Sequence, residues 1–166
     1  GPLLTLGAAG VIRRHWRSRR LTWQLVRSAR TDERLGARIV ETDRPFAAAV
    51  LGARRPVISQ GLRDALAPES LQAVLAHERA HARRRDPFRR LICSVLSVGH
   101  LPSVRKQMLA DLELATERAA DEIAADTVGD RLTVAGALVQ VERLMTGTNG
   151  QPKGAVAIDG ASLTHR

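Results

Sequence analysis

Apolar and polar positions recur at helical spacing over most of the chain. Between Pro68 and Arg85, Leu71, Val74 and Leu75 fall on one face of a helix. Pro68 suits a first helical position, and Glu69 complements the positive end of the helix dipole. Asp86-Pro87 closes the run, because a residue before proline resists helical geometry. This pattern predicts a helix over 68–85, and the same reasoning predicts helices at about 87–98, 103–126 and 131–146. Residues 4–28 read as a basic N-terminal helix. Residues 32–44 are charged and irregular, with a short strand around Arg38–Glu41. Residues 46–59 pair two short apolar runs across Gly52 and predict a β-hairpin. Residues 147–154 are rich in turn formers, and 155–166 return to small apolar residues. The expected fold is mostly α with a small β-hairpin or sheet beside the 68–85 helix.

That helix carries chemistry. His77-Glu78-Arg79-Ala80-His81 is an H-E-x-x-H pattern, and positions i and i+4 share a helix face, so both imidazoles reach one ion. Zinc suits imidazole nitrogen and takes a third protein ligand plus an open water position in catalytic sites. Glu78 is then placed to accept a proton from the attacking water.

The extended form of the pattern is absent, since Arg84 and Pro87 stand where its glycine and third histidine would be. A third ligand must come from elsewhere. Residues 111–122 predict a second helix with Leu112, Ala115, Ala119 and Ile123 along one side. Glu113, Glu117 and Asp121 form a carboxylate stripe at i, i+4 and i+8. Such a stripe is ordinarily a solvated face paired with arginines. Beside the histidine pattern, one carboxylate completing a His2Glu zinc site is the better reading.

Together, His77-Glu78-Arg79-Ala80-His81 and Glu117-Arg118-Ala119-Ala120-Asp121 resemble the gluzincin arrangement of H-E-x-x-H with a downstream E-x-x-A-D. The chain is most similar to integral-membrane zinc metallopeptidases, over roughly residues 40–145. The stretches Arg55–Leu62 and His81–Pro87 look more like the beta-lactam-sensor (antirepressor) branch than the heat-shock and CAAX-prenyl-protease branch. The resemblance implies a gluzincin-like domain with Zn2+ held by His77, His81 and Glu117 rather than Glu113. It implies Glu78 as the catalytic base and Asp121 as the carboxylate that orients His77 from behind. The implied substrate is a cytoplasmic protein or peptide, such as a repressor in the sensor branch.

Composition narrows the rest. The chain has 166 residues, enough for one domain with a real core. Apolar content is 44%, yet aromatics are 2% and tyrosine is absent, so the core must be built from Leu, Val, Ala and Ile. Without tyrosine, a side-chain donor for a tetrahedral oxyanion must be His or Arg, with His100, His165 and Arg118 as candidates. His15, His100 and His165 otherwise lack ligand spacing and read as structural or solvated. Net charge is +9, but no nucleic-acid-binding signature appears and the basic runs lack interleaved aromatics, which argues against nucleic acid as a partner. The single cysteine, Cys93, rules out an internal disulfide and reads as a buried inert thiol within the apolar run 91–99, itself expected to be a core helix rather than a membrane-dipping segment. Met108 and Met145 read as core gap-fillers.

Residues 3–12 are apolar or small and precede the arginine-rich run 13–20, the order of a membrane span followed by its cytoplasmic flank. Ten such residues fall short of the about 20 that cross a bilayer. Residues 1–30 are therefore expected to be a basic helix at the end of a membrane span, and 31–166 the metallopeptidase domain on the cytoplasmic side of the cell membrane. An ordinary amphipathic helix fits the same residues, and Trp16 and Trp23 suit either. Gly1-Pro2 resembles a cleavage scar from recombinant expression. Within this domain, an edge strand in 46–59 could bind an extended peptide by main-chain hydrogen bonds, or simply cover the core. The rival functions are a broad-specificity quality-control membrane protease, an inactive relative acting by binding, and a basic binding module.

Overall fold

The computed structural model describes residues 26–148. Most of the expected basic helix (residues 1–25), with Trp16 and Trp23, lies outside them, as do His15, His165 and the stretch from 149 onward; residues 26–28 are helical. Four short strands form one mixed sheet: β1 (Arg30–Asp32), β2 (Ala37–Val40), β3 (Ala47–Ala48) and β4 (Val57–Ser59), in the order β1-β2-β4-β3. β2 and β4 are central and parallel, with Ile39 opposite Ile58. β1 and β3 are antiparallel edges, with Arg30 opposite Ile39 and Ala47 opposite Ile58. Burial follows this order: all of β4 is buried, whereas β3 is half-buried. The expected hairpin is thus β3–β4, and the expected strand near 38–41 is β2.

Helices follow: α1 (Gln60–Ala65), α2 (Pro68–Arg84), α3 (Asp86–Leu96), a 3-10 turn (Ser97–Gly99), α4 (Pro102–Val128) and α5 (Arg131–Thr148). α1 is not foreseen by apolar spacing, because only Leu62 of its six residues is buried. Its start signal is local: Ser59 Oγ accepts the Leu62 N–H at 3.0 Å and the Phe46 N–H at 2.9 Å, capping the helix N-terminus and fastening the loop before β3. Gly61 is required here, because a Cβ would lie 2.0 Å from the Asp43 carbonyl oxygen. α4 ends in Gly129 at φ 82°, a left-handed cap that only glycine adopts without strain.

α2 lies between β3 and the pair α4 and α5. Leu71, Val74 and Leu75 are buried with Ile39, Ile58 and Leu62 of the sheet side and Val134, Ala137 and Val141 of α5. Each large aliphatic side chain buried here stabilises the fold by about 1.5–3 kcal/mol. Among the described residues no aromatic joins this cluster, while Phe46 packs half-buried against a second, smaller cluster of Val26, Val40 and Val57. On α4 the buried positions are Thr116, Ala120, Ala124 and Ala125. This corrects the expected Leu112–Ala115–Ala119–Ile123 side. Hydrophobicity favours the leucine side, but small side chains let the α4 backbone approach α2, and that approach selects the face.

α3 departs further from expectation. Only Asp86 of its residues is buried, while Phe88, Ile92 and Leu96 are exposed. The run 91–99 is therefore the partly exposed end of an amphipathic α3 followed by the 3-10 turn, and not a core helix. Its packing partners are α4, the end of α2 and the 3-10 turn, which cover one side alone. Cys93 is half-buried rather than buried, and Met108 and Met145 are exposed rather than core. No helix among the described residues is long and apolar enough to cross a membrane.

Candidate metal centre

α2 presents His77 and His81 one turn apart, 5% and 8% exposed, with ring centroids 4.7 Å apart and planes at 80°. Their Nε2 atoms face each other at 3.1 Å. α4 brings the Glu117 Oε2 atom to 3.4 Å from His77 Nε2 and 3.5 Å from His81 Nε2. A tetrahedral zinc with bonds of about 2.0–2.1 Å has ligand–ligand edges of about 3.3–3.4 Å. The three donor atoms match that spacing, and two imidazoles with one carboxylate are a donor set zinc accepts. The residues present therefore fit the ion.

Glu117 is aimed by α3. Arg90 Nη2 donates to the Glu117 Oε1 atom at 2.7 Å, which leaves Oε2 turned toward the histidines. The hydrogen bonds from His77 and then His81 hold the Glu117 carboxyl well below the usual carboxylate range. Glu113 stands one turn earlier and meets Arg90 Nη1 at 3.5 Å, apart from the histidines. The carboxylate stripe is thus divided: Glu117 joins the cluster, Glu113 faces the arginine, and Asp121 approaches His77 from behind.

Both imidazoles have carboxylates at their second nitrogen. Asp121 Oδ1 lies 3.0 Å from His77 Nδ1, but off the line of the ring N–H, so the nitrogen lacks a well-aligned hydrogen bond. His81 Nδ1 donates to Asp86 Oδ2 at 3.0 Å, and Asp86 is 1% exposed. A carboxylate in this position fixes the tautomer that leaves Nε2 free for a metal. Burial disfavours the charged His81 ring, but the hydrogen bonds it donates to Glu117 and Asp86 outweigh that and raise its pKa.

Asp86 was legible only as a helix stop; its role at His81 comes from the corner it occupies. Arg85 adopts a left-handed conformation at φ 56° and turns the chain from α2 directly into α3. Asp86 becomes the first residue of α3, where the helix dipole favours its charge, and points back beneath α2. The sequence signal was an aspartate five residues after the second histidine, before a proline. Arg90 offered no comparable signal among so many arginines.

Glu78 keeps some solvent exposure, yet protein atoms crowd its carboxyl, and the lost hydration pushes its pKa up against the pull of His77 and His81. The backbone N–H of Ala49, directly after β3, favours the charged form of this carboxylate. The edge strand therefore touches the candidate base. Of the arginine and histidine candidates for oxyanion stabilisation, His100 and Arg118 are exposed and make no side-chain bond to the cluster, and His165 lies outside the described residues.

Comparison with known proteins agrees with this arrangement. No curated protein and no solved structure matches the chain. A two-helix site of this kind, with its base beside a sheet edge, belongs to metallopeptidase chemistry. Residues 16–148 match the family described as Peptidase family M48, and the chain belongs to that family.

Proposed function

We propose that this chain is the catalytic domain of a membrane-anchored zinc endopeptidase, with His77, His81 and Glu117 as metal ligands and Glu78 as general base. The observation that carries it is the tetrahedral spacing of the three donor atoms with Glu78 on the same helix face region and the β3 edge beside it. Zinc, when bound, polarises the scissile carbonyl and makes the attacking water more acidic. Glu78 accepts the proton of that water and delivers it to the leaving amine; its raised pKa suits both halves of the transfer. Asp86 holds the His81 ring by its Nδ1 atom, Asp121 places a charge beside His77 Nδ1, and Arg90 holds the Glu117 carboxylate by its second oxygen. An extended peptide laid along β3 would meet Glu78 through the strand's end.

The physiological reading is regulatory cleavage of a cytoplasmic protein such as a repressor, by the beta-lactam-sensor resemblance. Membrane apposition is supported by the apolar-then-basic order of residues 3–20 and by the exposed Phe88, Ile92 and Leu96 stripe of α3. The test pairs metal analysis with peptide cleavage. Wild-type protein should bind one zinc and cleave, while Glu78→Gln should bind zinc, keep its fold and lose cleavage, because an amide accepts no proton. Hydrolysis at the wild-type rate by Glu78→Gln would remove the general-base assignment.

A further inference from the structure

We propose that the groove beside Glu78 is a side-chain subsite that selects an acidic residue of the peptide substrate; this rests on the peptidase reading. The groove is a cavity of about 350 Å³ between the β3–β4 turn and the α2–α3 corner. Its position follows from the site. β3, which packs against α2, runs through Ala49 directly into the turn that forms one wall. Ala82, one helical turn beyond Glu78, forms the opposite wall. A peptide extended along β3 projects alternate side chains to either face, and one of them reaches this groove.

The lining sets the chemistry. Leu51, Ala53 and Phe88 supply an apolar bed, and Phe88 is 45% exposed. Arg54 and Arg85 stand at the rim, both exposed. No carboxylate lines the cavity. Among the described residues neither guanidinium has an ion-pair partner, whereas Arg55 is paired with Glu33 at 2.8 Å and Arg90 with Glu117 at 2.7 Å. Arg85 is held in place by the left-handed corner, so its backbone position is set by the fold rather than by a mobile loop. A second cavity of about 370 Å³ shares Gly52, Ala53 and Arg54 and adds Arg38 and the Arg55–Glu33 pair, so arginines still outnumber carboxylates away from the site. An apolar bed with two unpaired guanidiniums fits a side chain with a methylene stem and a carboxylate end, such as glutamate.

The test uses the zinc-loaded protein and peptides in which Glu, Gln or Lys is scanned through each position on both sides of the cleaved bond. One position should prefer Glu over Gln by about fivefold and reject Lys further, with the preference shrinking at high salt. The Arg54→Glu, Arg85→Glu double variant should reverse the Glu-to-Lys ratio at that position while retaining bound zinc, which reports an intact fold. Equal rates for Glu, Gln and Lys, or a glutamate preference that survives the double variant, overturns the subsite while leaving the peptidase reading standing. Fluorescence anisotropy of labelled Glu and Lys peptides on the Glu78→Gln protein reads the same preference without turnover. Should the wild type cleave nothing, the peptidase reading fails, and the anisotropy still decides the subsite: binding that is absent or indifferent to charge overturns it.

Discussion

Asp86→Asn isolates the contribution of a carboxylate that sits behind a candidate metal ligand. The Asp86 side chain is 1% exposed and accepts the His81 Nδ1–H at 3.0 Å. Asparagine is nearly the same size and can still accept that hydrogen bond through its carbonyl oxygen, but it brings no charge. The basicity of His81 Nε2 then falls, and its tautomer is less firmly set. Changes of this kind weaken metal binding by about 10–100-fold, or about 1.4–2.7 kcal/mol. Asp121→Asn is the internal comparison. Its carboxylate lies at the same 3.0 Å from His77 Nδ1, but the side chain is 51% exposed and out of line with the ring N–H. Water screens that contact, and exposed pairs are worth only about 0.2–1 kcal/mol, so zinc affinity should fall only about two- to fivefold. Competition titration against a chromophoric chelator measures both values. Thermal melts of the metal-free proteins report separately on Asp86, whose charge also faces Arg84 at 3.5 Å and Arg89 at 3.7 Å. Wild-type zinc affinity in Asp86→Asn, or a larger loss in Asp121→Asn, would refute the reasoning that burial and alignment decide which carboxylate matters.

Other outcomes follow from the same geometry. Glu117→Ala should sharply lower zinc content by metal analysis, whereas Glu113→Ala, which removes only a partner of Arg90, should leave it near wild type. Arg90→Ala frees the second oxygen of Glu117 and should weaken zinc binding by about two- to tenfold in chelator titration, with Arg90→Lys intermediate because lysine cannot hold two acceptors in a fork. Gly61→Ala forces a Cβ onto the Asp43 carbonyl at 2.0 Å and should cost at least about 1–3 kcal/mol in denaturant unfolding; a neutral result would mean that the 42–46 loop moves freely.

Local physics made the first half of the site legible. The pairing of His77 with His81 needs only helical periodicity, and the start of α2 follows from Pro68; its end falls where expected but for another reason, since Asp86 before the proline is itself helical and the break is the left-handed Arg85. The aliphatic make-up of the main core cluster and the β3–β4 hairpin were likewise written in residue type and alternation. The α4 stripe was visible as three carboxylates at helical spacing, and choosing Glu117 among them required a family resemblance. What the chain pattern did not hold is how separate elements meet. α4 packs by its small residues and not by its leucines, because backbone approach to α2 outweighs leucine burial on that helix. The apolar run of α3 is exposed, since hydrophobicity reports a preference for burial but not whether another element covers the face. Asp86 at His81 and Arg90 at Glu117 depend on a left-handed corner and on a contact across 27 residues of chain. Sequence alone therefore determined which residues could bind a metal. Tertiary packing decided which carboxylate reaches the ion's place and which groups hold each ligand still, because those distances are set between elements and not along them.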